Sequence, residues 1–339
     1  MHMADALLSP AVGGAFWAAG AAILAGCSRK LRNEFDDGKI PLMGVLAAFI
    51  FAAQMINFTI PGTGSSGHLG GGMILAILLG PCAGFLAMAS VLTVQALFFA
   101  DGGLLALGCN IFNLGFFPCF IACPLIFRPL LGRAPTRGRL LAASLVAAVA
   151  ALQLGAFFVV LQTLLSGISE LPFAPFLMLM LPIHLAIGVV EGLVTAAVVG
   201  YVWKARPEIL TTPGGKISAP GWQPVLLGLT AATLLVGGIL SWFASSHPDG
   251  LEWAMFHASG REELAAPEAG AHQALAEVQE KTALLPDYGF KASADGGGEV
   301  DEAWPAVDTG TSLSGLVGGL LTLMVAGLAA WLLRGRSRA

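Results

Sequence analysis

Eight apolar segments, at 10–27, 40–58, 72–100, 104–127, 140–165, 177–203, 223–243 and 312–333, are each long enough to cross a lipid bilayer. A spanning helix needs about 20 apolar residues, within a range of roughly 17–25. Charged residues make up 11% of the 339 positions, against about 25% in a water-soluble domain. Such a chain cannot cover a water-facing surface. Of the 44 glycines, 21 sit inside these apolar runs, as small residues do between packed membrane helices. These features imply an all-α polytopic membrane protein. They exclude a soluble enzyme, a nucleic-acid binder and a disordered scaffold.

Charge is strongly segregated. Four clusters (Arg29–Lys39, Arg128–Arg139, Lys204–Lys216 and Arg334–Arg338) hold 14 of the 17 basic residues. The stretch 244–311 holds 13 of the 21 acidic residues, against Arg261, Lys281 and Lys291 alone. Basic loops are retained on the cytoplasmic side, so all four clusters are expected there. The first helix then runs from outside to inside, and the loop 59–71 is external. Reaching Arg128–Arg139 from that loop takes an odd number of crossings. The segment 72–100 is therefore expected to break into two short helices at Gly80-Pro81-Cys82-Ala83-Gly84, residues that interrupt a helix; a re-entrant hairpin over 72–100 is the second reading, and it would not give this parity. The count becomes nine spans, with the N-terminus outside and the C-terminus in the cytoplasm.

Spacing divides the chain further. Residues 1–206 hold seven close-set spans, expected to form one bundle. Residues 207–222 are rich in Pro and Gly and read as a cytoplasmic linker. Residues 223–339 hold two further spans flanking the acidic external loop 244–311. No internal repeat supports an inverted-repeat carrier. The five cysteines lie in or beside apolar segments and imply no disulfide framework. Cys119 and Cys123, one helical turn apart, read as small packing residues rather than ligands.

The N-terminus carries the most specific chemistry. Met1-His2-Met3-Ala4-Asp5 lacks the basic region of a signal peptide, so Met1 is expected to remain. The Met1 amine, the His2 backbone nitrogen and His2 Nδ1 can chelate one metal through fused five- and six-membered rings. That supplies three nitrogens in a plane, and a further imidazole completes a square. Such a site favours Ni(II) or Cu(II) over Zn(II), and low-spin Co(II) also accepts it. His68 is the natural fourth ligand. It lies in the glycine-rich external run Pro61–Gly72, where Thr63, Ser65 and Ser66 can orient its ring.

The decapeptide Met1-His2-Met3-Ala4-Asp5-Ala6-Leu7-Leu8-Ser9-Pro10 resembles the N-terminal signature of the CbiM/NikM family. These are the substrate-binding membrane components of energy-coupling factor transporters for cobalt and nickel. Gln54–Gly72, Asp101–Phe117 and His184–Ala197 are similar to further family motifs, and the resemblance covers about 1–206. His247-Pro248-Asp249-Gly250-Leu251-Glu252 resembles a PDGLE module, an accessory two-span component here fused to the same chain. Pro286-Asp287-Tyr288 suits it too. The resemblance implies metal held by Met1, His2 and His68, with Ni2+ or Co2+ as the transported substrate and no organic cofactor. It also implies a coupling transmembrane component and paired ATP-binding cassette ATPases as partners, in a bacterial plasma membrane. Asp5-Ala6-Leu7 departs from the more frequent Asp-Gly-Phe, a difference that touches packing.

Other polar residues invite a role. His184 and Glu191 are seven apart and share a helix face. They read as a hydrogen-bonded pair locking helices together, or as a relay on the ion path. Asp101, near the expected mouth, reads equally as a partner of the cation or its ligands and as a helix-ending turn. Asn110 and Asn113 are expected to bond between helices. The Ala15, Ala19 and Ala18, Ala22 spacings permit close packing, and the resemblance suggests a partner subunit there. The acidic loop is expected to raise the local cation concentration, and His247, His257 and His272 are not expected to form a site. No GxxxxGK[ST] phosphate loop is present, so ATP hydrolysis falls to other subunits. No HExxH supports an intramembrane metalloenzyme. A stand-alone channel or secondary carrier is the other class, distinguished by uptake without ATPases.

Overall fold

The computed structural model describes residues 2–34, 39–211, 221–261, 264–291 and 304–333. It is an all-α multi-pass membrane protein. Among the described residues, six helices are long and apolar enough to span: α1 (Pro10–Glu34), α4 (Pro81–Phe98), α5 (Leu107–Leu131), α6 (Arg137–Ser166), α7 (Phe173–Ala205) and α11 (Thr309–Leu333). Two shorter apolar helices, α2 (Ile40–Gln54) and α8 (Gln223–Gly238), accompany them. The middle of the linker, 212–220, and the last basic cluster lie outside the described residues.

The hydrophobic core centres on α2 and α4, whose side chains are buried almost throughout. The C-terminal module packs into it rather than standing apart. A Cβ on Gly318 of α11 would overlap the ring of Phe51, and one on Gly44 would lie 3.1 Å from the Leu323 carbonyl. Gly237 of α8 and Gly315 of α11 touch backbone to backbone. Such close approach is how small residues join helices where lipid gives no hydrophobic drive. α5 carries Pro118 and Pro124 inside it and adopts a π register over Phe112–Phe127, the local adjustment by which a helix accommodates proline within a membrane.

The expected break at Gly80 is present, but it does not separate two spanning helices. Gly80 has φ 90°, and α3 (Gly72–Leu79) has only eight residues. At 1.5 Å per residue that is roughly 12 Å, less than half a bilayer core of about 30 Å. α4 runs back against α3, with Gly84 seated on the backbone of Leu75 and Ala76. The chain direction therefore reverses at Gly80, with a half-length member where a spanning helix was expected. Residues 65–71, which lead into α3, are buried throughout. Two other boundaries shift. α2 stops at Gln54, and β1 (Phe58–Ile60) pairs antiparallel with β2 (Ser65–Gly67). α8 ends at Gly238, followed by a short 3-10 turn at Leu240–Phe243.

Candidate metal centre

The N-terminal segment is drawn into the bundle, where Met3 and Asp5 find hydrogen-bond partners. The Met3 amide donates to Asn110 Oδ1 at 2.8 Å, while Asn110 Nδ2 (3.2 Å) and the Gly103 amide (3.0 Å) donate to the Met3 carbonyl. Asp5 Oδ1 accepts from the Ala106 amide at 2.9 Å. Met3, Leu7 and Leu8 are fully buried. A Cβ on Gly103 would fall on the Asp5 carboxyl, so glycine is required where the loop before α5 crosses the segment. Asn110 thus serves the N-terminus rather than a helix neighbour. Asn113 does bridge helices, to Gln162 of α6 at 2.8 Å.

His2 and His68, far apart in sequence, meet here with ring centroids 4.9 Å apart and planes 20° from parallel. With metal–nitrogen bonds of about 2 Å, two imidazoles at neighbouring corners of a square have centroids roughly 4.5 Å apart. His68 Nδ1 donates to the Leu69 carbonyl at 3.0 Å, which fixes the tautomer and places the ring lone pair on Nε2. Burial pushes its pKa down to about 3, so the imidazole is neutral at pH 7, the form that binds metals. His2 departs from expectation. Its Nδ1 lies 2.8 Å from Asp101 Oδ1, and its Nε2 is buried with no hydrogen-bond partner. Chelation through Nδ1 thus takes a turn of this ring. Burial alone would raise the Asp101 pKa, but the neighbouring His2 outweighs it and holds the carboxyl below the usual range. Asp101 is accordingly a hydrogen-bond partner of a candidate ligand. Met1, the expected amine donor, lies outside the described residues. Among the described residues, no three His, Cys, Asp or Glu side chains form a metal-holding group.

The buried run that carries His68 has non-helical backbone, whose polar groups need partners from elsewhere in the protein. Glu191 is one such partner. Its Oε2 accepts from the Gly70 amide at 2.7 Å and its Oε1 from the Gly71 amide at 3.2 Å, where the N-terminus of α3 also favours a negative charge. Gln54 Nε2 donates to the Gly70 carbonyl at 2.8 Å. The expected His184–Glu191 pair is therefore replaced by two separate roles. His184 Nδ1 bonds the Met180 carbonyl one turn back at 2.8 Å. Its ring borders a cavity of about 10 Å³, room for one water, together with His68 and Asp249. Ser66 does not orient the imidazole as expected. Its hydroxyl donates to the His247 carbonyl at 2.8 Å, and its amide donates to the Pro248 carbonyl at 2.8 Å.

These last contacts bring the 244–311 loop onto the site. Asp249 caps helix α9 (Gly250–Ser259) by accepting from the Leu251 and Glu252 amides, and Glu252 bonds back to the Asp249 amide, a capping box. From helix α10 (Ala271–Thr282), buried His272 bonds the Leu8 carbonyl through Nε2 at 2.8 Å. Gln279 Nε2 donates to the carbonyls of Ala96 (2.9 Å) and Gly102 (2.8 Å). Tyr288 donates its hydroxyl to Asp101 Oδ2.

Comparison with known proteins follows the same division. Residues 2–209 match the family described as CbiM, cobalt uptake substrate-specific transmembrane region. The chain belongs to the CbiM family. Residues 223–335 match the PDGLE domain. Among relatives of this CbiM chain, the fused nickel transport protein NikMN of Rhodobacter capsulatus is 33% identical, covering 85% of this chain and 88% of its own. The cobalt transport protein CbiM of Geobacter sulfurreducens is 33% identical, over 70% of this chain and 72% of its own. A solved structure titled as a truncated transition metal transporter superposes with a TM-score of 0.52 at 32% identity, over 60% of this chain and 99% of that one. Sequence reasoning about this CbiM chain missed Tyr288, His272 and Gln279, all from the accessory loop. The one available signal was a histidine, His272, in an otherwise water-facing helix.

Proposed function

We propose that this chain is the substrate-capture subunit of an ATP-driven importer of Ni2+ or Co2+. The Met1 amine, the His2 amide and imidazole, and His68 Nε2 are the ligands. The observation that carries this reading is the meeting of His2 and His68 beside a buried N-terminal segment that Asn110 holds at the Met3 amide and carbonyl. Nickel is the preferred ion, because a planar, all-nitrogen donor set suits it best; cobalt follows closely. Asp101 and Asp249 add negative charge beside the ligands and favour entry of a dication. Residues 1–206 form the capture domain, 207–222 the linker and 223–339 the accessory module.

In this reading the N-terminus faces outward and the basic clusters face the cytoplasm of a plasma membrane. The chain carries no phosphate loop, so paired ATPases and a coupling membrane protein supply the energy. The open face of α1, where Ala15, Ala18 and Ala22 are exposed, suits close docking of that partner. Metal loading displaces protons from the amine and the amide, so it tightens as pH rises. The test is metal content and binding of the purified chain beside His2→Ala and His68→Ala. One Ni2+ or Co2+ per chain, lost in both variants, is the expected result. Full retention in both overturns the site. Metal uptake by the chain alone in liposomes, without ATPases, overturns the subunit role.

A further inference from the structure

Helices α6 and α7 lie antiparallel, with Gly188, Gly192 and Gly200 of α7 seated against Val149, Leu145 and Leu140 of α6. That register sets Lys204, near the end of α7, opposite Arg137, the first residue of α6. Between the two helices runs an open groove of about 730 Å³, lined at one end by Arg137 and Lys204 and further along by Leu141, Leu193 and Ala197. Its wall carries two cations and no carboxylate. Neighbouring charges are committed elsewhere. Arg206 pairs with Glu208 at 2.6 Å and stacks on Trp222, and Arg139 turns back to the Ala134 carbonyl at 3.4 Å. Arg137 and Lys204 have no hydrogen-bond or ion-pair partner among the described residues.

The groove has the depth of one membrane leaflet. Leu193 and Lys204 lie three turns apart on α7, roughly 16 Å along its axis, against about 15 Å for half of a hydrocarbon core. Tyr201 and Trp203 line the charged end, and such aromatic side chains mark the headgroup level. Tyr201 is fixed there, because its hydroxyl donates to the Pro224 carbonyl of α8 at 2.9 Å. We propose that this groove binds one anionic phospholipid, its phosphate between Arg137 and Lys204 and an acyl chain along Ala197 and Leu193. An apolar trough one leaflet deep that ends in two cations matches a molecule that is an acyl chain ending in an anion. Basic pockets between spanning helices at a membrane face seat such headgroups. In the orientation proposed above, this end lies in the cytoplasmic leaflet, whose surface carries anionic lipid. The site is independent of the metal ligands.

The experiment is native mass spectrometry of the full chain in detergent, titrated with phosphatidylglycerol or with phosphatidylcholine of the same acyl chains. Wild type is compared with Arg137→Gln/Lys204→Gln, with Arg137→Lys/Lys204→Arg, and with Ala197→Trp, which fills the groove and keeps both cations. Arg137, Lys204 and Ala197 are exposed, so none of these changes disturbs the core. Each basic residue beside anionic lipid contributes about fivefold. The wild type should therefore hold one phosphatidylglycerol roughly 25-fold more tightly than phosphatidylcholine. The Gln pair should bind both lipids alike, the charge-preserving pair should keep the preference, and Ala197→Trp should lose binding of both. Equal affinity of the wild type for the two lipids, or a preference that survives in the Gln pair, overturns the proposal. Displacement of the lipid by inorganic phosphate would reveal an anion site without a lipid groove and overturns it too. If Ala197→Trp keeps its lipid but no longer assembles with a co-expressed membrane subunit, the groove is a protein interface and the lipid assignment fails.

Discussion

The two modules contribute differently to one site. The N-terminal bundle supplies the candidate donors: Met1, His2 and His68 are all its residues. The accessory loop supplies none of them, yet it bonds to three of the segments that carry or flank them. Ser66 holds Pro248, Leu8 holds His272, and Asp101 holds Tyr288. The bundle also satisfies its own buried loop through Glu191, whereas the accessory contacts are spread over several separate hydrogen bonds from the 244–311 loop. Donors and buried supports should therefore be close to indispensable, while the loop contacts should be graded.

Glu191 is where that contrast breaks or holds most visibly. Glu191→Ala leaves the Gly70 and Gly71 amides buried without their acceptor, and each orphaned group costs about 1–3 kcal/mol. The expected outcome is a loss of roughly 2–5 kcal/mol in thermal unfolding in detergent, with metal binding falling too, because His68 lies two residues before Gly70. Glu191→Gln keeps an acceptor oxygen and should lose less. If Glu191→Ala unfolds like the wild type, the buried loop has another support. At the smaller end, His272→Ala removes one bond to the Leu8 carbonyl, worth about 1 kcal/mol. Since 1.4 kcal/mol corresponds to tenfold, Ni2+ affinity should fall less than tenfold in titration calorimetry. Complete loss of binding would place His272 among the indispensable groups and erase the distinction between the modules.

Much of this arrangement was legible in the sequence for reasons that are local. A terminal amine next to a histidine is a chelate by connectivity alone. The pairing with His68 followed from charge parity, which also demanded the reversal at Gly80 and Pro81. What was not legible is long-range and made by single side chains on backbone groups. Glu191 looked like a partner for His184 because seven residues put both on one helix face, but the unpaired amides of an irregular loop were the stronger attraction. Ser66 looked like a support for His68, and its hydroxyl went to the accessory loop. The half-length of α3 was not legible because charge parity fixes the number of reversals and not the length of each member. The contact of Tyr288 with Asp101 leaves no periodic trace at all.

The central claim is that the N-terminal amine is a metal ligand. It is tested most directly by comparing Ni2+ stoichiometry, by native mass spectrometry, for the chain with a free amine and for the same chain acetylated at Met1. One Ni2+ on the free chain and none on the acetylated chain is the predicted result. Equal occupancy of both would contradict it and move the ion to donors that do not include the amine.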